Sequence, residues 1–345
     1  MSNDMVAVVK TEPDRGAELK NVNIPEPSST EILVEVKNTS ICGSDYHIYS
    51  WNKWAQNNIE IPHIMGHELA GEVVDMGDRV TRFEEGDYIS AETHINCQEC
   101  YQCRTDREHI CQNMKILGVH TDGVFAEYAV VEERLASKNP PEIPQPLASL
   151  QEPLGNAIDS IRAGSVEGKN ILITGAGPAG LMSIAVARAF GAATITVTEP
   201  MDYRQELALE VGADHAISPE KDVSGLVDDI TDGDGVDFVA EMSGVEDAIR
   251  QGLKQLTEGG KMAILGLPEG EVTLNLTDDV IFKGVEIEGI TGRKMYETWY
   301  IARRLLRNNL LDLEKVVTHK FPLEEYDKGM KLMEEGRCGK IVLST

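Results

Sequence analysis

Apolar positions alternate with polar ones along several short segments in the first part of the chain. Runs of this kind, rich in β-branched residues and bounded by Gly, Asp and Pro, predict strands at 6–9, 32–36, 69–74, 88–91 and 124–131. Their number and spacing predict an antiparallel, partly barrel-like domain. The Pro-rich span 139–146 cannot continue a helix or an inner strand, so it predicts a connection between two units.

From about residue 170 the pattern changes to short buried runs that alternate with helical periodicity. The runs predict strands at 170–174, 194–198, 216–217, 236–240 and 262–265, with helices at 178–190, 203–211 and 245–256. This alternation predicts an α/β fold with a doubly wound parallel sheet. The tail, a helix at 296–309 and a strand at 340–343, is expected to return to the first domain.

Composition excludes several classes of function. The 58 acidic residues exceed the 32 basic ones, and the formal charge of −26 would repel nucleic acid phosphates. This acidity predicts a well-solvated surface, with adaptation to high salt as the alternative. No apolar run reaches the roughly 18 residues of a membrane span. Because residues 1–5 lack the basic flank and apolar centre of an export signal, a cytoplasmic location is expected.

A dinucleotide-binding signature lies directly after the strand at 170–174. Gly175 permits the tight turn, Gly177 lets the backbone approach a pyrophosphate, and Gly180 lets the following helix pack closely on the strand. Glu199 ends the next strand, where an acidic residue binds the adenosine ribose diol, and this favours NAD over NADP. Arg204 follows it and either stacks on adenine or accommodates a 2′-phosphate.

Four cysteines lie within fifteen positions in the sequence. Thiolates at this spacing can close a tetrahedral metal site with no position left for water, and such zinc sites are structural. The candidate ligands are Cys97, Cys100, Cys103 and Cys111.

A catalytic zinc needs about three protein ligands and an open position for the substrate oxygen. Cys42 offers a thiolate, His67 an imidazole, and Glu68 and Glu152 offer carboxylate oxygens. With the four-cysteine set, they predict two zinc ions per chain. Zinc would act as a Lewis acid on the substrate hydroxyl.

Two residues close to Cys42 can move the proton that leaves such a hydroxyl. Ser44 offers a hydroxyl two positions after Cys42, and His47 offers an imidazole three positions further on. Arg293 is a candidate for binding a substrate carboxylate or a cofactor phosphate; the alternative is a surface arginine.

Together these motifs resemble the zinc-dependent medium-chain dehydrogenases over nearly the whole chain. Within the family, segments 41–56, 92–97 and 289–300 resemble the branch that oxidises the β-hydroxyl of L-threonine. The resemblance implies a GroES-like, mainly antiparallel β catalytic domain formed by residues 1–155 together with 295–345, and a Rossmann domain formed by 156–294. It also implies a homotetramer.

The resemblance assigns further residues by their position in the family's motifs. It implies that NAD accepts the hydride, that L-2-amino-3-oxobutanoate is the product, and that Glu152 exchanges with water or substrate on the catalytic zinc. His94 matches a position that influences substrate choice. Leu265, Ile290 and Thr291 lie where the family lines the nicotinamide.

Two other functions remain open from the sequence. The threonine-oxidising branch commonly has threonine where this chain has Ser44, whereas Cys-Gly-Ser-Asp is common in sorbitol and butanediol dehydrogenases, so a polyol or diol dehydrogenase is the first alternative. A non-catalytic nucleotide-binding relative is the second. The intact ligand set at 42, 67, 68 and 152 argues against it.

Overall fold

The protein is described from a computed structural model that covers residues 4–345. The first part of the chain forms mainly antiparallel sheets, and strand β3 lies at their centre, paired with three neighbours. The strands of this part are β1 (Asp4–Lys10), β2 (Glu18–Asn23), β3 (Glu31–Ile41), β4 (His63–Ile64), β5 (Leu69–Met76), β6 (Tyr88–Ala91), β7 (His94–Ile95), β8 (Lys115–Ile116), β9 (Tyr128–Glu132) and β10 (Ala136–Lys138).

Four helices follow these strands or lie between them. They are α1 (Gly43–Ser50), α2 (Lys53–Asn58), α3 (Gln145–Ala148) and α4 (Gln151–Gly164). Helix α1 starts immediately after β3, and Asn52 caps α2 by accepting a hydrogen bond from the Ala55 amide at 3.0 Å.

The middle of the chain forms a six-stranded parallel sheet in the order β13-β12-β11-β14-β15-β16. The strand order reverses between β11 and β14, and in sheets of this kind ligands bind beyond the carboxyl ends of the strands at that point. The elements are β11 (Asn170–Thr174), α5 (Pro178–Ala189), β12 (Thr194–Thr198), α6 (Asp202–Val211), β13 (His215–Ile217), α7 (Val223–Thr231), β14 (Val236–Glu241), α8 (Glu246–Gln255), β15 (Leu256–Ile264) and β16 (Glu286–Gly289).

The last part of the chain consists of α9 (Glu297–Arg307), β17 (Val317–Pro322), α10 (Tyr326–Glu334) and β18 (Lys340–Ser344). Strand β18 pairs with β3 in an antiparallel register that places Ile341 opposite Ile41, so the chain returns to the antiparallel sheet. The apolar face of α9, with Ala302 and Leu305, joins the hydrophobic core that underlies the parallel sheet. The parallel sheet and the mainly antiparallel sheets around β3 confirm the predicted α/β fold class.

The predicted elements differ from the observed ones where tertiary contacts decide the backbone path. The strand predicted at 124–131 begins only at Tyr128, because the amides of Val124 and Phe125 donate to Gly66 and Met65 in a loop rather than to a regular partner strand. Helix α7, which was not predicted, is amphipathic and packs on the opposite face of the parallel sheet through Val223 and Val227. Among residues 4–345, no helix is both long enough and apolar enough to cross a membrane.

Candidate active site

Cys42 lies at the junction between β3 and α1, where the chain changes from strand to helix. The amide of Cys42 donates to Asp45 Oδ2 at 2.8 Å, which fixes this turn. Glu68 directly precedes the neighbouring strand β5, and its carbonyl accepts a hydrogen bond from Thr39 Oγ1 at 2.6 Å. This pairing brings Cys42, His67 and Glu68 together, with one ligand atom of each within 4.8 Å of the others.

These three side chains fit a zinc site by chemistry and by spacing. Zinc binds sulfur at about 2.3 Å and nitrogen or oxygen at about 2.0–2.2 Å, so small side-chain movements would bring all three onto one ion. His67 Nδ1 lies 3.3 Å from Asp45 Oδ1, which is fully buried. Burial lowers the pKa of His67, but the Asp45 carboxylate and Cys42 outweigh burial and raise it, so the local field favours a cation at this imidazole.

Both carboxylates proposed as ligands are already bound to buried cations. Glu68 Oε1 lies 2.6 Å from Lys340 Nζ on β18, and Ser40 Oγ donates to Glu68 Oε2. Glu152 lies outside the group formed by Cys42, His67 and Glu68. Its Oε1 accepts from Thr93 Oγ1 at 3.0 Å and from Arg293 Nη1 at 2.6 Å.

The two predicted substrate-contacting residues, His94 and Arg293, meet at a third residue, Glu92. His94 Nδ1 lies 2.9 Å from Glu92 Oε1, Trp299 Nε1 donates to Glu92 Oε2 at 2.7 Å, and Arg293 Nη2 also donates to Oε1. Burial raises the pKa of Glu92, but Arg293 and His94 together outweigh burial and lower it to about 2. The guanidinium of Arg293 is fully buried, and both of its terminal nitrogens contact side chains of the protein.

The proposed proton path begins on helix α1. Ser44 is half-buried near the start of the helix, and His47 is exposed one turn later. His47 Nδ1 lies 2.9 Å from Asn52 Nδ2, and the centre of its ring lies 6.2 Å from the centre of the tilted Trp54 ring. The imidazole is therefore held at the protein surface with contact to water.

The four-cysteine lobe has the dimensions of a zinc site. A tetrahedron with zinc–sulfur bonds of about 2.3 Å has sulfur–sulfur edges of about 3.8 Å. The Sγ atoms of Cys100 lie 3.5 Å from Cys103 and 3.8 Å from Cys111, and those of Cys97 and Cys111 are 3.5 Å apart. Backbone amides of Cys103 and Gln112 lower the pKa of Cys100 to about 6, which favours the thiolate that zinc requires.

The cofactor cleft lies at the carboxyl end of β11. Gly175 has φ of +90°, which favours glycine, and a Cβ on Gly180 would collide with the Gly175 carbonyl, so the helix approaches the turn closely. Glu199 is 4% exposed and accepts from the Ala176 amide at 2.8 Å, which ties the predicted ribose-binding carboxylate to the glycine turn. A cavity of about 550 Å³, the size of small-molecule sites, opens here.

The predicted cofactor contacts divide between two places. Gly175, Gly177, Glu199 and Arg204 line the cavity. Leu265 and Ile290 follow the carboxyl ends of β15 and β16, and neither they nor Thr291 line the cavity.

Sequence reasoning did not identify Lys340, Glu92 or Trp299 as part of this centre. Lys340 and Glu92 carried one available signal, a charged residue adjoining an apolar strand run, because a charge at such a position needs a buried partner. Asp45, which the sequence analysis did not assign, both caps the turn and faces His67.

Comparisons with known proteins agree with this geometry. Residues 28–141 match the alcohol dehydrogenase GroES-like domain, and residues 178–308 match the zinc-binding dehydrogenase family. The chain is 53% identical to the L-threonine 3-dehydrogenase of Pyrococcus horikoshii over 344 residues, covering 99% of both chains. It is 46% identical to the protein of the same name from Bacillus licheniformis, again with 99% of both covered.

Among solved structures, 2R,3R-butanediol dehydrogenase from Bacillus subtilis superposes with a TM-score of 0.90 at 26% identity, covering 99% of both chains. The chain therefore belongs to the zinc-dependent medium-chain alcohol dehydrogenase family.

Proposed function

We propose that this protein oxidises the β-hydroxyl of L-threonine to L-2-amino-3-oxobutanoate and transfers the hydride to NAD. The observation that carries the proposal is the full-length identity of 53% to a threonine dehydrogenase, together with a donor set that fits zinc. The butanediol alternative is not favoured, because identity to a relative of that name is 26%.

The residues that we propose for the catalytic zinc are Cys42, His67, Glu68 and Glu152, with Cys97, Cys100, Cys103 and Cys111 for the structural zinc. A zinc ion held by these residues would supply Lewis acidity toward the substrate oxygen, and bound NAD would supply the hydride acceptor. Asp45 orients the His67 imidazole from 3.3 Å.

The chain's own groups then handle the proton. Ser44 Oγ accepts the proton of the substrate hydroxyl as its own hydroxyl proton moves on towards His47, and the exposed His47 releases a proton to water. His94, half-buried against Glu92, faces the substrate. Arg293 acts from beneath the site by holding Glu92 and Glu152 in place, since its guanidinium is fully buried.

NAD is assigned to the cleft between β11 and β14. Glu199 lies at the position that binds the ribose diol, and its negative charge would repel the 2′-phosphate of NADP. Arg204 lines the same cavity beside the adenosine end. Leu265, Ile290 and Thr291 are assigned to the nicotinamide end.

The boundaries of the two domains are also proposed. Residues 1–155 with 295–345 form the catalytic domain, and 156–294 form the cofactor domain. The division is supported by the sheets, because β18 pairs with β3 whereas, within residues 4–345, β11 to β16 pair only with one another. Helix α4 (Gln151–Gly164) runs continuously across the first boundary.

A homotetramer is proposed, and self-association through one of its contacts is supported by the edge of the parallel sheet. Within residues 4–345, strand β16 pairs only with β15, and large apolar side chains surround this edge: Phe282 is 76% exposed, Ile281 67% and Leu276 55%. An open edge with apolar neighbours pairs readily with a second copy of itself. Light scattering of the wild type and of Phe282→Asp tests this: a monomeric wild type would refute the proposal.

A cytoplasmic location is proposed because the six cysteines are free thiols, and reduced thiolate ligand sets persist in that compartment.

The decisive assay follows absorbance at 340 nm with NAD or NADP and four substrates, namely L-threonine, D-threonine, sorbitol and 2,3-butanediol. We expect NADH formation with L-threonine and at least tenfold less with the others. A response to butanediol or sorbitol without one to L-threonine would refute the substrate, and no response to any would refute the dehydrogenase. Metal analysis should find two zinc ions per chain.

A further inference from the structure

Lys340 is a buried cation at the edge of the candidate catalytic zinc site. It is 1% exposed and lies at the start of β18, and its backbone amide donates to Val316 at 2.7 Å. The ammonium lies 2.6 Å from Glu68 Oε1, and Glu68 is fully buried. The last strand of the chain thus delivers a positive charge next to a proposed metal ligand.

The candidate ligands fall into two classes by what else they contact. Both carboxylates have a buried cation of their own: Lys340 for Glu68 and Arg293 for Glu152. Among residues 4–345, neither Cys42 nor His67 forms an ion pair or hydrogen bond with a lysine or arginine; His67 faces the Asp45 carboxylate and contacts Cys42 instead. A metal on the Cys42 sulfur and the His67 imidazole therefore need not compete with a lysine or arginine, whereas a metal on either carboxylate must.

A buried carboxylate without a partner is strongly destabilising, so Glu68 needs a positive charge whether or not zinc is bound. Zinc and an ammonium that share one carboxylate compete for its oxygens and repel each other at short range in a site of low polarity. The Lys340 ammonium therefore stabilises the metal-free site and destabilises the zinc-bound site.

We infer that Lys340 is a positioning residue that acts as the counter-ion of Glu68. It stabilises the site before zinc binds, and it lowers the affinity of the site for zinc. The consequence is a catalytic metal whose carboxylate ligand is released easily, while Cys42 and His67 keep the ion in place. The inference rests on the proposed zinc site but does not depend on which alcohol is the substrate.

The test compares zinc binding in Lys340→Met, which removes the charge, and Lys340→Arg, which keeps it. Lys320→Met is the matched control, because Lys320 is an exposed lysine on the adjacent strand β17. Zinc affinity is measured by chelator competition, and zinc release from the loaded protein is measured after chelator is added in excess. The four-cysteine site serves as an internal reference in every variant.

For Lys340→Met we expect zinc to bind the catalytic site about tenfold more tightly or to leave it about tenfold more slowly, because the repulsion between two nearby cations is removed. Lys340→Arg and Lys320→Met should stay within about threefold of the wild type. The metal-free Lys340→Met protein should melt at a lower temperature than the metal-free wild type, and zinc should abolish this difference.

Release from the zinc-loaded protein is measurable even if metal-free Lys340→Met does not fold. An unchanged or weaker affinity in Lys340→Met, with two zinc ions per chain in the wild type, would overturn this inference alone. Fewer than two zinc ions in the wild type would overturn the zinc site of the proposed function as well.

Discussion

Removal of the Arg293 guanidinium is the perturbation whose outcome the structure defines most closely. The side chain is fully buried and contacts the carboxylates of Glu92 and Glu152 together with the amide oxygen of Asn156 at 3.2 Å and the hydroxyl of Thr93 at 3.1 Å. Methionine matches much of its length but supplies no charge and no donor. Arg293→Met therefore leaves two buried carboxylates without their shared cation.

The expected loss follows from what each carboxylate retains. Glu92 keeps His94 and Trp299 as donors, whereas Glu152 keeps only the Thr93 hydroxyl as a hydrogen-bond donor within residues 4–345. Breaking a buried ion pair by removing one partner destabilises a protein by about 3–5 kcal/mol. We expect the free energy of unfolding to fall by about that amount.

Urea denaturation, followed by fluorescence at neutral pH in excess zinc, measures this loss. Arg293→Lys is the matched control: it keeps the charge but cannot bridge two carboxylates in the same way, so an intermediate loss is expected. Gly155→Ala perturbs the same group without changing any charge, because a Cβ at Gly155 would collide with Arg293 Cδ. A loss below about 1 kcal/mol for Arg293→Met would refute the view that this ion pair network stabilises the site.

Three further outcomes are expected. In Cys100→Ser, zinc content should fall from two ions to one per chain and the melting temperature should drop while kcat changes less than about threefold, since such a site is structural; a tenfold loss of kcat would contradict this. In Glu199→Ala, kcat/KM for NAD should fall about tenfold or more and NADP should become a better cofactor, because hydrogen bonds to charged groups contribute roughly 1.5–3 kcal/mol; unchanged NAD kinetics would exclude a ribose contact. The pKa of Glu92 is lowered to about 2 from 4.5, so its contribution to stability is complete above pH 4.5 and is lost as the pH falls toward 2. The urea midpoint should therefore fall less between pH 5 and pH 3 in Arg293→Met, which lacks the cation, than in the wild type. An equal fall of the midpoint in both proteins would contradict this assignment.

Local sequence signals were sufficient wherever one short segment fixes the chemistry. Gly175 to Gly180 predicted a strand, a tight turn and a helix because the spacing of small residues is dictated by that turn alone. The four cysteines are similar, since Cys97 to Cys111 close on one another within a single lobe. The parallel sheet followed from alternating periodicity, which each βα unit carries in its own residues.

The parts that could not be predicted depend on contacts between distant segments. Arg293 was proposed as an anion-binding residue, but its separation of 201 positions from Glu92 conceals their ion pair until the fold brings them together. Lys340 and Glu68 are separated by 272 positions. Periodicity carries no information about which buried charge will face which, because that is decided by the packing of the two sheets and α4.

The pairing of β18 with β3 has a consequence for how the enzyme is made. Cys42 directly follows strand β3, yet the strand that pairs with β3 and the Lys340 ammonium come from residues 340–344, about 300 positions later. On a ribosome, the parallel sheet can form while the antiparallel domain still lacks β18, since domains fold as units during synthesis. The metal centre can therefore mature only after residues 340–344 have emerged, and a nascent chain stalled before Lys340 would hold a complete cofactor domain beside an unfinished catalytic one.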